Sequence, residues 1–178
     1  RQSALRDVLT RLSNLKTAAA GLRDPTIWSD TQTVESSDPA RLTATRTAGA
    51  AAGAYDLTIT QLARAHQVTQ GGTLTQAAAD DVLHVAVGSG SAVDVTVTAG
   101  DTLETIAGKL SSTTDIPVYA SVVNGKLVLT GKTTGAASTI AVTSDGSLAA
   151  DLAFAESLTA QDAQFTVNGV AKTSSSNS

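Results

Sequence analysis

Residues 83–97 read Leu83-His84-Val85-Ala86-Val87-Gly88-Ser89-Gly90-Ser91-Ala92-Val93-Asp94-Val95-Thr96-Val97. Apolar residues fall on every second position of both halves, which is the period of a half-buried β-strand. The Gly-Ser-Gly-Ser centre supplies the reversal, so the segment predicts an antiparallel hairpin. The same signature recurs along the chain. Tyr55, Leu57 and Ile59 alternate with Asp56, Thr58 and Thr60, and Leu62 breaks that parity, placing a bulge or turn near Gln61. Ala65–Thr69 reads as a short strand. Val118–Val123 and Lys126–Thr130 flank Asn124-Gly125, and Phe165, Val167 and Val170 flank Asn168-Gly169. Asn-Gly suits a type I′ turn, whose two central residues both need positive φ. Ile140 and Val142 mark one more strand.

Two segments have helical spacing. Leu103, Ile106, Ala107 and Leu110 form one apolar face, with Asp101 expected as N-cap and Glu104 three residues on. At the N-terminus, Leu5, Val8, Leu12, Leu15, Ala19 and Leu22 alternate spacings of three and four. That is the a/d seam of a coiled coil, with Asp24-Pro25 expected to end the helix. So short a seam is unstable alone in water, and its partner is expected beyond Ser178 or in another chain. Between Pro25 and Gly53, Thr31–Ser36 and Arg41–Thr47 read as strands around Ser37-Asp38-Pro39, and Ala48–Gly53 as a linker.

The fold class is therefore α+β, mainly β: an N-terminal coiled-coil-type helix followed by two small β-rich domains, one inserted in the other. Gln70-Gly71-Gly72 reads as a flexible boundary, and the charge changes there. Residues 71–157 carry nine acids against three bases, whereas the rest carries nine bases against seven acids. Residues 71–158 then form the inserted domain with one short helix, and 48–70 plus 159–178 the interrupted β-rich domain. Residues 1–47 are left as a partial helical domain with strands. Thr173–Ser178 is a polar run with no obvious strand partner.

Composition narrows the function. The hydrophobic fraction is 42% but the aromatic fraction only 3%, so the cores are aliphatic. A net charge of −4 argues against nucleic-acid binding, which needs a dense basic face. With no cysteine, disulfides and thiolate chemistry are excluded. No apolar run approaches the roughly 20 residues of a membrane span, and no signal peptide is visible. His66 and His84 sit far apart on strand-like segments, Asp80-Asp81 reads as a loop pair, and no serine lies in a nucleophile elbow. Lone Trp28 reads as a small satellite core at the helix end. Catalytic, cofactor and metal residues are therefore expected to be none. The candidate functional residues are the seam Leu5, Val8, Leu12, Leu15, Ala19 and Leu22.

Three stretches carry a family resemblance. Ser36-Ser37-Asp38, Leu42-Thr43-Ala44-Thr45 and Gly53-Ala54-Tyr55 through Gln61-Leu62-Ala63-Arg64-Ala65-His66 resemble the N-terminal region of flagellar filament cap proteins, also called hook-associated protein 2. Gly100-Asp101-Thr102-Leu103, Val118–Val122 and Lys126–Gly135 resemble the hook/flagellin "IN" motif, although Lys109-Leu110 stands near the place of its Ile-Asn. Ala160–Val170 with Ser175-Ser176-Asn177 is similar to a third family stretch. The resemblance implies a non-enzymatic structural protein of the bacterial flagellum, exported without a cleaved signal peptide. It implies a homo-oligomeric cap at the filament tip, outside the cell, that steers flagellin into place. Flagellin and hook-filament junction proteins are then its partners, with host mucin or glycans as adhesion targets in some members. It also implies a stalk domain assembled from distant parts of the chain.

Two other readings compete. Gly100–Ala107 also resembles the opening of a LysM module, which binds peptidoglycan or chitin. A LysM continues into a second helix, whereas Pro117 here precedes a hairpin. A flagellin or adhesin carrying the same IN-like motif is the other alternative.

Overall fold

The alternating segments become antiparallel strands, and the two helical spacings become helices. The computed structural model describes residues 2–24, 33–47 and 50–178. The chain divides into two units, Arg1–Ala54 and Tyr55–Ser178. In the first, α1 spans Gln2–Gly21 and none of its residues is buried. Its Asp7–Arg11 pair lies at i,i+4 on the solvent side. The stop expected at Asp24-Pro25 arrives slightly earlier, in a turn through Leu22 and Arg23, and Pro25 and Trp28 lie outside the described residues.

The strands expected at 31–36 and 41–47 do not form in the described part of those segments. Bonding there is local instead. Asp38 accepts the amides of Arg41 (3.1 Å) and Leu42 (3.0 Å) on its carbonyl, and the Ser36 hydroxyl accepts the Asp38 amide at 3.3 Å. A strand needs a ladder partner for its amides and carbonyls. An alternating Thr-rich sequence without one settles into a turn around Asp38-Pro39.

The second unit contains three antiparallel sheets. β1 (Leu57–Gln61), β9 (Ala163–Val167) and β10 (Val170–Ser174) form the first, in the order β1-β9-β10. β2 (Ala65–Gln70), β5 (Val118–Val123), β6 (Lys126–Thr134) and β8 (Phe154–Leu158) form the second, ordered β5-β6-β2-β8. β3 (Asp81–Val87), β4 (Val93–Val97) and β7 (Ile140–Ser144) form the third, ordered β4-β3-β7. α2 (Leu103–Ser112) and α3 (Leu148–Leu152) complete the unit.

The hairpins fall where expected. Asn124 and Gly125 have φ of 51° and 70°, and Asn168 and Gly169 have 50° and 77°. Leu57 pairs with Val167 and Ile59 with Phe165, with a register shift between Ile59 and Gln61. A hairpin follows α2, as opposed to the second helix of a LysM module. One aliphatic core lies among the second and third sheets and both short helices. Ile106, Leu127, Val85, Val97 and Leu152 are fully buried in it. Fully burying each such side chain contributes about 1.5–3 kcal/mol.

Four local expectations change. The N-cap of α2 is Thr102, whose hydroxyl accepts the Thr105 amide; Asp101 turns back to accept the Thr98 amide at 2.8 Å and pairs with Lys109. Asp81 belongs to no loop: it is buried on β3. Ala65–Gln70, expected in the interrupted domain, lies between β6 and β8 in the second sheet. Its pattern of buried residues at every second position reflects a core on one face.

Gly71-Gly72, expected as a flexible boundary, is a packed crossing. The Gly71 amide donates to Ala153 O and the Gly72 amide to Leu152 O, both at 3.0 Å. A Cβ on Gly72 would stand 2.0 Å from Asp151 O, and one on Gly71 would stand 2.8 Å from Ala153 O. The glycines are there because backbone passes backbone.

Candidate assembly surface

On α1, Leu5, Val8, Leu12, Leu15, Ala19 and Leu22 all lie exposed. Leu5 is 64% and Leu15 66% accessible, unusual for leucines aligned on one helix stripe. Leu9 joins them, equally exposed. Sequence reasoning passed over it because strict heptad spacing skips it, although it lies one turn from Leu5. The stripe is thus wider than an a/d seam at its start.

A second apolar face belongs to the β1-β9-β10 sheet. The register puts Leu57, Ile59, Phe165, Val167 and Val170 on one side, with Lys172 beside Phe165, and Thr58, Thr60 and Thr166 on the other. Ile59 and Val170 remain exposed, as does Tyr55 just before β1. This side has not become a core: of the three strands, only Ala163 is buried.

The sheet is joined to the body at a dense joint. Asn177 donates from Nδ2 to Ala63 O at 2.9 Å and accepts the Ala63 amide on Oδ1 at 2.7 Å. Arg64 and Gln161 exchange backbone hydrogen bonds at 2.9 and 3.1 Å. Gln161 Nε2 donates to Leu62 O at 2.9 Å, and Gln61 Nε2 to Asp162 O at 2.7 Å. The Asp162 carboxylate accepts the Ala136 amide at 2.7 Å, and the Thr134 hydroxyl donates to Ser175 O at 2.7 Å. The polar tail expected to lack a partner is therefore a closing clasp. Replacing Asn177 by alanine leaves both main-chain groups of the buried Ala63 without it, at a cost of about 1–2 kcal/mol. Amide exchange at Ala63 should rise in that variant while exchange at Leu127 stays at the wild-type rate. Unchanged protection at Ala63 would show the clasp to be idle.

The histidines are not brought together. His66 is buried on β2; its Nδ1 accepts the Ile140 amide at 2.9 Å, so its proton sits on Nε2 and is donated to Glu156 at 3.0 Å. The Thr159 hydroxyl, with His66 second, holds the Glu156 carboxyl below its usual pKa. His84 lies half-buried on β3 between Asp94 and Asp145. Among the described residues no group of three or more His, Asp or Glu side chains is arranged to hold a metal ion, and no helix is long and apolar enough to cross a membrane.

Comparison with known proteins places this architecture. Residues 1–66 match the family described as flagellar hook-associated protein 2 N-terminus (FliD_N). The chain is also similar to the crystal structure of the flagellar cap protein FliD D1-D2-D3 domains from Escherichia coli, with a TM-score of 0.68 and 28% identity. That match covers 99% of this chain and 55% of that one. Its first 66 residues match the N-terminal part of flagellar cap proteins, and its fold is that of the FliD structures.

Two further FliD structures, each of D2-D3 domains, agree. The one from Escherichia coli has a TM-score of 0.65 and 27% identity over 75% of this chain and 80% of that one. The one from Serratia marcescens has a TM-score of 0.61 and 25% identity over 75% of this chain and 83% of that one. No curated protein matches. The chain spans about half the length of the D1-D2-D3 structure. The FliD_N match ends at His66, so it contains the Gln61–His66 stretch that carried the resemblance. In this chain that stretch supplies the β1 bulge, one side of the joint and the buried histidine.

Proposed function

We propose that this protein is a structural subunit of the flagellar filament cap, which assembles with copies of itself at the filament tip and promotes flagellin assembly there. The observation that carries the reading is the apolar stripe of α1, exposed along its length in a chain whose residues 1–66 match the cap family. An amphipathic helix of this kind is stable in water only with its apolar side covered. Residues 2–21 are thus the stalk helix of the cap, and Leu5, Val8, Leu12, Leu15, Ala19 and Leu22 its contact seam.

The β-structure is divided into an outer sheet, 57–61 with 163–174, and a body, 65–158, inserted into it. Sheet membership and the two-way crossing of the chain at the joint support this division. The outer sheet's uncovered apolar side is a further surface for assembly.

Leu12→Asp together with Leu15→Asp would put two charges into the seam. Sedimentation should then show a smaller assembly than wild type, and filament growth from capped hook-basal bodies should fall. The β-structure should melt as before, since no residue of α1 is buried. An unchanged assembly with unchanged filament growth would remove the seam from the mechanism.

A further inference from the structure

His84 occupies the middle of β3, itself the central strand of the β4-β3-β7 sheet. Asp94 is its register partner on β4, and its Oδ1 lies 2.7 Å from His84 Nδ1. On the other side, Asp145 follows β7 directly, and its Oδ1 lies 3.0 Å from His84 Nε2. The imidazole therefore bridges the strands on both sides of its own.

A neutral imidazole has one N–H and one lone pair. With a carboxylate at each nitrogen, one of the two contacts would set a lone pair against an anion. Both contacts are attractive only when both nitrogens carry protons. The remaining residues on this side of the sheet are uncharged: Val82 and Ala86 on β3, Thr96 on β4, and Ala141 and Thr143 on β7. Asp81 has the opposite parity and lies on the core side. No cationic side chain from these strands competes with the ring for the two aspartates.

We propose that His84 is a protonation-controlled staple: as an imidazolium it ties β4 and β7 to the central strand, and its deprotonation releases one of the two and loosens the sheet. The hydrogen bond donated to Asp94, then that donated to Asp145, raises the His84 pKa above its ordinary 6.5 despite partial desolvation. A pKa raised on folding means that the folded state binds the proton more tightly than the unfolded chain. The stabilisation is complete below 6.5, where both states are protonated, and is lost as pH rises through the folded-state value. The device thus holds below 6.5 and releases as pH rises through the raised folded-state value.

The test is a proton-NMR titration of the imidazole resonances, with thermal melting from pH 5.5 to 8.5, on wild type and His84→Gln. His84 should titrate above 6.5, and Asp145→Asn and Asp94→Asn should each lower its midpoint. The wild-type melting temperature should fall with rising pH more steeply than that of His84→Gln, with faster amide exchange along β4 or β7 at the alkaline end. Since His66 is present in both proteins, the difference between the two curves belongs to His84. A midpoint at or below 6.5, or parallel melting curves, would overturn the proposal. Should His84→Gln fail to fold, the midpoints of wild type and Asp145→Asn decide it alone: equal midpoints refute the staple.

Discussion

Gly72→Ala is expected to lower stability by roughly 3–5 kcal/mol, at the upper end of single-residue effects, because backbone cannot yield as a side chain can. The methyl group would stand 2.0 Å from Asp151 O and 3.2 Å from Leu152 O. To make room, the segment after β2 must withdraw from the end of α3. That withdrawal breaks the Gly72 amide bond to Leu152 O and the neighbouring Gly71 bond to Ala153 O. It also shifts the Gly72 carbonyl, which accepts from Lys126 Nζ and Gln70 Nε2. The melting temperature should drop by about 10 °C. Gly108→Ala is the matched control. It lies within α2 with nothing within 4 Å of the added methyl, and it should raise stability by up to about 1 kcal/mol. If the two variants melt alike, the close crossing is not as described.

The second large effect is at Asp81. Its Oδ1 accepts the amides of Val82 and Gly146 at 2.8 Å, and Oδ2 accepts the Leu148 amide at 2.9 Å. Ser147 gives α3 no side-chain cap, so this aspartate takes over the task from another strand. Removing it in Asp81→Ala strands three buried or half-buried amides, for an expected loss of about 3–5 kcal/mol. Burial alone would raise the carboxyl's pKa, but the amides of Leu148, Gly146 and Val82 outweigh it and hold the pKa below 3.8. A depressed value gives stability that is full above 3.8 and is lost as pH falls through the folded-state value. Asp81→Asn should therefore flatten the acid limb of the unfolding curve measured from pH 5 to pH 2. An acid limb identical to wild type would show that another carboxylate controls it.

The parts of the fold that could be read from the sequence are those whose cause is local. Alternating valines, two Asn-Gly turns, the parity break at Leu62 and the apolar face of α2 each depend on neighbours a few residues away. The hidden parts depend on distant ones. α3 has no capping signature because its cap, Asp81, lies 67 residues earlier. Asn177 looks idle beside serines because its target, Ala63, lies 114 residues away. Gly71-Gly72 reads as slack because glycine pairs mark both flexible linkers and close crossings, and only the position of Asp151 tells them apart. The apolar stripe of α1 was visible because a heptad spacing needs no knowledge of the rest of the chain. The outer sheet's apolar side was not, since its extent depends on which strands join it.

The position of β2 also sets the order in which the molecule can form. Its neighbours are β6 and β8, so neither edge of Ala65–Gln70 is satisfied by a strand adjacent in sequence. β2 gains its first neighbour only with Lys126–Thr134 and its second with Phe154–Leu158, while Leu57–Gln61 waits for Ala163–Val167. Loop closures this long slow the search for the native state and favour a late, cooperative transition over growth from the N-terminus. A chain emerging end-first keeps an alternating strand with two open edges until Lys126–Thr134 is present, and with one open edge until Phe154–Leu158 follows. Throughout that interval, Ala65–Gln70 and Leu57–Gln61 are both open to pairing with another molecule's strand.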